Sequence, residues 1–299
     1  MGTPDFAVPS LETLIENNFN IVAVITAPDK PKGRGQQLTT SPVKDTALKH
    51  DIPVLQPTNL KSPKFIEELR RYQANLQIVV AFRMLPEAVW NMPEIGTFNL
   101  HASLLPQYRG AAPINWAIMN GEKETGVTTF FLRHEIDTGK IIFQEKEEIK
   151  QNDTVGDLYV RLMNKGAELV LKTVKAIQDD DYPQVDQNEN QELKNAPKIF
   201  RETCKIDWNQ STQKVYNFVR GLSPYPAAWT ILNKKNLKVY STEPVIKHTV
   251  DKTPGDFYSD GKTNLHFFTS DGYLDIKELQ IEGKKRMGIA EFLRGNKLK

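Results

Sequence analysis

The fold is decided by the stretch Thr97-Phe-Asn-Leu-His-Ala-Ser-Leu-Leu-Pro106, which starts as an apolar, strand-like run and ends in a loop. Apolar runs rich in β-branched residues lie on both sides of it, at 21–26, 76–81, 127–132 and 141–143. Helix-like segments separate several of these runs, at 9–18, 42–50, 63–72 and 113–119. Alternating strands and helices predict an α/β domain whose parallel-rich sheet is covered on both faces.

The pattern changes in the second half of the chain. Thr154-Val-Gly-Asp157 is a capping box that opens a long amphipathic helix, ending near Gln178. Residues 179–202 are polar and lack periodicity, so they are predicted to form an exposed linker. A helix at 211–220 is followed by short strand-like runs, which predict a small β-barrel: 228–232, 237–241, 265–269 and 273–279. The predicted domains are therefore 1–178 and 203–299, joined by 179–202.

Composition narrows the class of protein. The chain has 299 residues, of which 39% are hydrophobic and 25% charged, as in a packed two-domain protein. The chain has no apolar run of about 20 residues, so we expect no membrane association. It has no signal peptide pattern and a single cysteine, Cys204, so we expect a cytoplasmic protein without disulfides. Charge is uneven: residues 203–299 hold 16 basic and 10 acidic residues, net +6, and the rest hold 23 and 27, net −4. A basic second domain favours a polyanionic partner, although a solvated lysine-rich surface gives the same count.

Common cofactor motifs are missing. Gly33-Arg-Gly35-Gln-Gln-Leu38 lacks the third glycine of a dinucleotide fingerprint, and no Walker A motif or nucleophile elbow is present. With one cysteine and five scattered histidines, we expect no metal site.

Three polar residues instead suggest acyl transfer to an amine. Asn99 and His101 alternate along one strand and so point to the same face, and Asp137 follows the run at 127–132. An amide and an imidazole can donate hydrogen bonds to a tetrahedral oxyanion, and a carboxylate can orient the imidazole and help remove the amine proton. An ordinary strand end followed by an Asp-Thr-Gly turn has the same pattern, so the spacing alone leaves both readings open.

A family resemblance adds to this reading. Asn99-Leu-His-Ala-Ser-Leu-Leu-Pro-Gln-Tyr-Arg-Gly-Ala-Ala-Pro113, Thr125-Gly-Val-Thr128 and Asp137-Thr-Gly139 resemble the folate-dependent formyltransferases. Further matching motifs resemble the branch of that family that acts on methionyl-tRNA, and they reach into the second domain: Gly2-Thr-Pro-Asp-Phe6, Pro28-Asp-Lys-Pro-Lys-Gly-Arg-Gly35, Ser41-Pro-Val-Lys44, Ile206-Asp-Trp208, Pro224-Tyr-Pro-Ala227 and Gly283-Lys-Lys-Arg-Met287.

The resemblance implies a Rossmann-like formyltransferase catalytic domain and a C-terminal OB-like β-barrel domain. It implies 10-formyltetrahydrofolate as formyl donor and initiator methionyl-tRNA as acceptor. Because nothing in the sequence demands a larger assembly, we also expect a monomer without an obligate protein partner. It assigns catalysis to Asn99, His101 and Asp137. The implied folate-binding residues are Ser103, Leu104, Leu105, Pro106, Phe82, Arg83 and Met84.

A basic loop supports a nucleic-acid acceptor. Residues 27–44 include Lys30, Lys32 and Arg34, and we expect this loop to guide the acceptor end of the tRNA. The cluster Lys284, Lys285 and Arg286 is expected to contact the tRNA backbone. A solvated surface loop without a ligand is the alternative reading.

The chain departs from the family pattern in three places. Phe82-Arg83 replaces a tyrosine and glycine, and Glu135 replaces a glycine two positions before Asp137. The apolar strand that precedes Gly2–Phe6 in the family is missing, and we expect Met1 to be an internal methionine of the gene; a stop codon directly upstream would contradict this. Two rival classes remain: a formyltransferase acting on glycinamide ribonucleotide or a sugar amine, and a non-catalytic tRNA-binding protein.

Overall fold

The secondary structure follows the predicted alternation. The computed structural model describes residues 1–32, 37–190, 192–247, 252–296 and 298. Its α-helices are α1 Val8–Glu16, α2 Pro42–Lys49, α3 Pro63–Arg70, α4 Glu87–Trp90, α5 Pro113–Met119, α6 Val155–Gln178, α7 Thr212–Leu222 and α8 Ile289–Gly295. Its strands are β1 Val24–Ile25, β2 Lys30–Lys32, β3 Gln37–Thr39, β4 Val54–Leu55, β5 Leu76–Val80, β6 Gly96–His101, β7 Arg109–Gly110, β8 Glu124–Phe131, β9 Ile141–Glu148, β10 Asn195–Ala196, β11 Ala228–Leu232, β12 Lys235–Ile246, β13 Phe257–Ser259, β14 Leu265–Phe268, β15 Gly272–Ile281 and β16 Met287–Gly288.

The chain forms two compact units, which are described separately. The first comprises 1–110, 125–147 and 159–194; the second comprises 111–124, 148–158 and 195–299. The segment predicted as a linker thus contributes residues up to Lys194 to the first unit. None of the helices in the described residues is long and apolar enough to cross a membrane.

The first unit contains a sheet in the order β5-β6-β8-β9 and a separate pair, β1-β4. β5 and β6 run parallel, as do β1 and β4, whereas β8 is antiparallel to β6. One hydrophobic cluster joins the two pieces with Ile25 and Leu55 from one and Val79 from the other, together with Phe65 and Leu69 of α3. The expected parallel-rich, Rossmann-like architecture is confirmed.

The first two residues lie between these two pieces of sheet. Gly2 donates its N–H to Ile25 O at 3.1 Å, Met1 O accepts the N–H of Val80 at 2.9 Å, and the Met1 amine donates to Ile78 O at 2.6 Å. A cavity of about 800 Å³ lies beside them, lined mainly by apolar residues such as Leu11, Leu14, Ala23, Ile95 and Val174. Burial lowers the pKa of the Met1 amine to about 5. Between β1 and β5 there is therefore a slot that only Met1 and Gly2 occupy among the described residues.

The second unit is built on an antiparallel sheet in the order β11-β12-β15-β14-β13, with β16 paired to β15. Register shifts between Val239 and Thr242 bend the long strand β12, which curls the sheet into a half-barrel. Helix α7 buries Val215, Val219 and Leu222 in the core. This architecture confirms the predicted OB-like C-terminal domain in the form of a curled, half-barrel sheet.

The capping box predicted at the start of α6 is confirmed, whereas the basic loop contains unpredicted strands. Thr154 N donates to Asp157 Oδ2 at 2.9 Å and Asp157 N donates to Thr154 Oγ1 at 3.3 Å, which is the reciprocal capping box. The loop predicted from 27–44 instead contains a short antiparallel hairpin, β2-β3. Its strands of three residues are too short for alternation to reveal them.

Candidate active site

The end of β6 presents two of the predicted catalytic residues. β6 pairs with β5 on one side and β8 on the other, so the backbone of Asn99 lies between Val79 and Phe130, and that of His101 pairs with Thr128 of β8. Because side chains alternate along a strand, Asn99 and His101 share a face, and the buried Phe98 and Leu100 occupy the opposite one. His101 is 6% exposed, and Asn99 is half-buried.

The hydrogen bonds of His101 indicate which ring nitrogen carries the proton. His101 Nε2 lies 2.8 Å from the carbonyl oxygen of Tyr108. A carbonyl can only accept, so Nε2 is the N–H donor and Nδ1 is left for other partners. His101 Nδ1 lies 3.8 Å from Asp137 Oδ2, a distance that suits an ion pair with a protonated imidazole and is too long for a direct hydrogen bond. The structure therefore brings His101 and Asp137 together as the sequence predicted.

The turn that carries Asp137 is tightly constrained. Asp137 has a φ of 56°, in the left-handed region that aspartate tolerates better than most residues. Gly110 N donates to Asp137 Oδ2 at 2.9 Å. A Cβ on Gly139 would lie 1.6 Å from Phe131 O, so only glycine fits there. Glu135 is exposed, and this second carboxylate does not share the inner site.

Asn99 is the member of the trio whose side chain makes no hydrogen bond within the described part of the chain. Its backbone is paired between Val79 and Phe130. None of its side-chain polar atoms is a fully buried atom without a partner. The amide is therefore held in place by its strand and available to donate to a ligand.

The loop after β6 is fixed by Thr128 of β8. Thr128 Oγ1 donates to Ser103 O at 2.6 Å and accepts from Leu105 N at 3.2 Å and from Gln144 Nε2 at 2.9 Å. The hydroxyl of Ser103 donates to Gln107 O at 2.6 Å. The predicted folate residues Leu105 and Pro106 are buried and Leu104 is half-buried. Gln144 is a contributor that the sequence reasoning missed.

The other predicted folate residues lie in the loop after β5. Phe82 packs partly against the core of the first unit, and the guanidinium of Arg83 lies 5.6 Å from its ring centre. Arg83 donates to the carbonyl oxygens of Thr58, at 3.0 Å, and Pro57. Met84 is 72% exposed. Arg83 thus links the loop after β5 to the loop after β4, and Met84 presents an apolar side chain to solvent.

Residues of the predicted linker reach the Asp137 turn. Gln187 Nε2 donates to Asp137 O at 2.8 Å and to Gly139 O at 2.9 Å. Its Oε1 accepts from Arg109 Nη2 at 2.6 Å, and Arg109 also pairs with Glu189 at 2.7 Å. Sequence reasoning missed these residues because a polar stretch without periodicity gives no signal of its partners.

The predicted tRNA residues are only partly described. Lys30 is exposed on β2; the side chain of Lys32 and all of Arg34 lie outside the described residues. At the base of this hairpin, Lys44 Nζ donates to Asp29 at 2.6 Å, and this hydrogen bond, followed by one from Gln56, lowers the pKa of Asp29.

In the second unit, Lys284, Lys285 and Arg286 are exposed between β15 and β16. Arg286 makes a two-pronged contact with Glu278, at 2.7 and 2.5 Å, and its guanidinium lies 4.3 Å from the ring centre of Tyr240. Lys285 lies 3.4 Å from Glu291. Arg286 is therefore held more firmly than Lys285.

Comparison with known proteins identifies the family of the chain. Residues 1–174 match the family model "Formyl transferase", and residues 198–297 match "Formyl transferase, C-terminal domain". The methionyl-tRNA formyltransferase of Bacteroides fragilis is 54% identical over 304 residues, covering 99% of this chain and 93% of that protein.

Solved structures show the same fold. A sugar 3N-formyl transferase, WlaRD, has a TM-score of 0.66 at 23% identity, covering 95% of this chain and 97% of its own. HypX from Aquifex aeolicus has a TM-score of 0.60 at 22% identity, covering 82% of this chain, which spans 43% of the HypX chain. With family models over both regions and a relative above 50% identity along its length, the chain belongs to the methionyl-tRNA formyltransferase family and is a transferase of one-carbon groups.

Proposed function

We propose that the protein transfers the formyl group of 10-formyltetrahydrofolate to the free amino group of initiator methionyl-tRNA, giving N-formylmethionyl-tRNA for translation initiation. The observation that carries the proposal is the placement of His101 Nδ1 opposite Asp137 Oδ2, at 3.8 Å. The amide of Asn99, on the same strand face as His101, has no hydrogen-bond partner among the described residues. Acyl transfer to an amine requires hydrogen-bond donors and a base, and this set contains both kinds of group.

In the proposed reaction, the methionyl nitrogen attacks the formyl carbon and the carbonyl oxygen becomes an oxyanion. The side-chain amide of Asn99 and the Nδ1–H of a protonated His101 donate to that oxyanion, since Nε2 is already committed to Tyr108 O. Asp137 accepts the proton from the attacking nitrogen, directly or through water. The oxyanion then re-forms the carbonyl, the bond from the formyl carbon to the folate nitrogen breaks, and that nitrogen takes up the proton that Asp137 accepted, directly or through water.

The folate is proposed to lie against the loops 103–106 and 82–84. Because the Ser103 hydroxyl is occupied by Gln107 O, the first loop offers backbone groups and apolar side chains to a ligand. The exposed Met84 offers apolar surface for a ring system. Support comes from the structural neighbours: WlaRD was solved in the presence of 5-N-formyl-THF, and HypX in complex with tetrahydrofolic acid. No metal takes part in this proposal.

The acceptor is proposed from the curated relatives and from the basic residues. The family relative at 54% identity is named for methionyl-tRNA. The exposed Lys30, with Lys32 and Arg34 next to it in sequence, would guide the acceptor end, and Lys284, Lys285 and Arg286 would contact the backbone. We propose a monomer that works in the cytoplasm with the translation machinery.

One assay tests the proposal against its rivals. Formyl transfer from 10-formyltetrahydrofolate is measured with methionyl-tRNA, glycinamide ribonucleotide and an amino-sugar nucleotide as acceptors. We expect a specificity constant for methionyl-tRNA far above those for the two small amines. A higher specificity constant for one of the small amines would show that this amine is the acceptor instead of methionyl-tRNA. Absence of transfer to all three would favour a non-catalytic tRNA-binding protein.

A variant tests the tRNA loop separately. Arg34→Ala is expected to weaken the use of methionyl-tRNA and to leave slow hydrolysis of the formyl-folate unchanged, because it removes a phosphate contact and no catalytic group. Lys64→Ala, which removes an exposed charge from α3, is the matched control. Equal tRNA kinetics for Arg34→Ala and the parent would reject this role of the loop.

A further inference from the structure

The segment after α6, residues 182–190 and 192–194, is called the strap here, because its hydrogen bonds run to the loops of the active site. Val185 pairs with Ile141 through two backbone hydrogen bonds of 2.8 and 2.9 Å. Gln107 Nε2 donates to Glu192 O at 3.1 Å, and Tyr108 N donates to Lys194 O at 2.6 Å. The strap is thus tied both to the start of β9 and to the loop that accepts the His101 hydrogen bond.

Gln187 is the strap residue with the most specific contacts. Both N–H groups of its amide are used, on Asp137 O at 2.8 Å and Gly139 O at 2.9 Å. Its oxygen accepts from Arg109 Nε at 3.1 Å and Nη2 at 2.6 Å. An amide has two donors and two acceptor sites, so Gln187 is fully satisfied and held in one orientation.

These contacts join the two backbone segments that define the catalytic geometry. On one side is the turn of Asp137, a residue in a left-handed conformation that needs outside support. On the other is Arg109, flanked by Tyr108, whose carbonyl accepts from His101, and by Gly110, whose N–H donates to the Asp137 carboxylate. A shift of the turn relative to this loop changes the 3.8 Å separation of His101 Nδ1 and Asp137 Oδ2.

We propose that Gln187 is a positioning residue for formyl transfer: by clamping the carbonyls on both sides of the Asp137 turn to Arg109, it sets the distance between the Asp137 carboxylate and the His101 imidazole. This inference rests on the proposed function, since it assigns those two groups to the reaction. Gln187 itself touches no reacting atom. Its effect is therefore expected in the rate of transfer and not in the binding of either substrate.

The test compares Gln187→Glu with Gln184→Glu. The first keeps the shape but replaces the NH2 group, with its two donors, by one oxygen that faces two carbonyls. The second makes the same change at an exposed position of the strap. We expect Gln187→Glu and Gln187→Ala to lower kcat about 10- to 100-fold, as small displacements of catalytic groups do, with KM for both substrates within about twofold. The pH profile of kcat should also change, because Gln187→Glu places a second carboxylate near the proton acceptor. Gln184→Glu should match the parent.

Several results would overturn the proposal. They are a parental kcat in Gln187→Glu, an equal loss in Gln184→Glu, an unchanged pH profile, or a failure of both Gln187 variants to fold, which would show a purely structural role. Thermal melting of every variant separates the last result from the others. If the parent prefers another amine, the same comparison is made with that amine, so a wrong acceptor and a wrong role for Gln187 are told apart.

Discussion

At the scale of single residues, Asn99 offers a test of the oxyanion site that leaves folding undisturbed. Its side chain has no hydrogen-bond partner among the described residues, and its backbone is fixed by β5 and β8. Asn99→Ala should therefore lower kcat by about 10²- to 10³-fold, the usual cost of losing one oxyanion donor, with a melting temperature close to that of the parent. Steady-state kinetics and thermal melting check both parts.

The control for this prediction is Asn91→Ala, which deletes the same amide at an exposed position after α4. It should keep both the rate and the melting temperature of the parent. If Asn99→Ala retained the full rate, or lost stability in proportion to its rate, the amide would not be serving the transition state.

At the scale of elements, the slot between β1 and β5 makes stability depend on pH. In a chain that starts at Met1, burial lowers the pKa of the Met1 amine from 8.0 to about 5 in the folded protein. The unfolded chain therefore binds a proton between these values that the folded protein does not, and the free energy of unfolding should rise from pH 5 to pH 8. The contribution is roughly 4 kcal/mol at most, fully present above pH 8 and lost below pH 5. Urea unfolding at pH 5.5 and 8 measures it.

Two extensions ahead of Met1 test the same element. A strand of five β-branched apolar residues, about 17 Å long when extended, moves the amine out of its buried position and packs against the apolar surface of the cavity. It should abolish this part of the pH dependence and raise the melting temperature. A Gly/Ser extension of equal length should abolish this part of the pH dependence without raising the melting temperature. Retention of the pH dependence in both extended proteins would show that another group causes it.

At the scale of the whole molecule, the basic surface of the second unit should make tRNA use depend on salt. Lys284→Ala with Lys285→Ala is expected to reduce the slope of log kcat/KM against log salt concentration by about 1 to 2, because each phosphate contact adds about one released counterion. Arg286→Ala should change the slope less, since Glu278 and Tyr240 already hold that guanidinium. Measurements of kcat/KM between low and physiological salt give these slopes. A larger change of slope in Arg286→Ala than in the double lysine variant would show that Arg286 is the main phosphate contact.

The sequence by itself determined the elements and the chemistry of the site. Apolar periodicity is a property of neighbouring residues, so it located β5, β6 and α6 within a few positions, and the capping box at Thr154 is also local. Strand alternation was enough to place Asn99 and His101 on one face. The family motifs named the reaction and the acceptor, and the comparisons agree with them.

Only the tertiary structure decided how these groups meet. The approach of Asp137 to His101, the proton on His101 Nε2 and the clamp by Gln187 depend on hydrogen bonds between loops that are distant in sequence. The same holds for the slot beside Met1 and for the pairing of Arg286 with Glu278. Polar loop residues follow no period and choose partners by geometry, so the sequence shows which groups are present and the fold decides which of them act together.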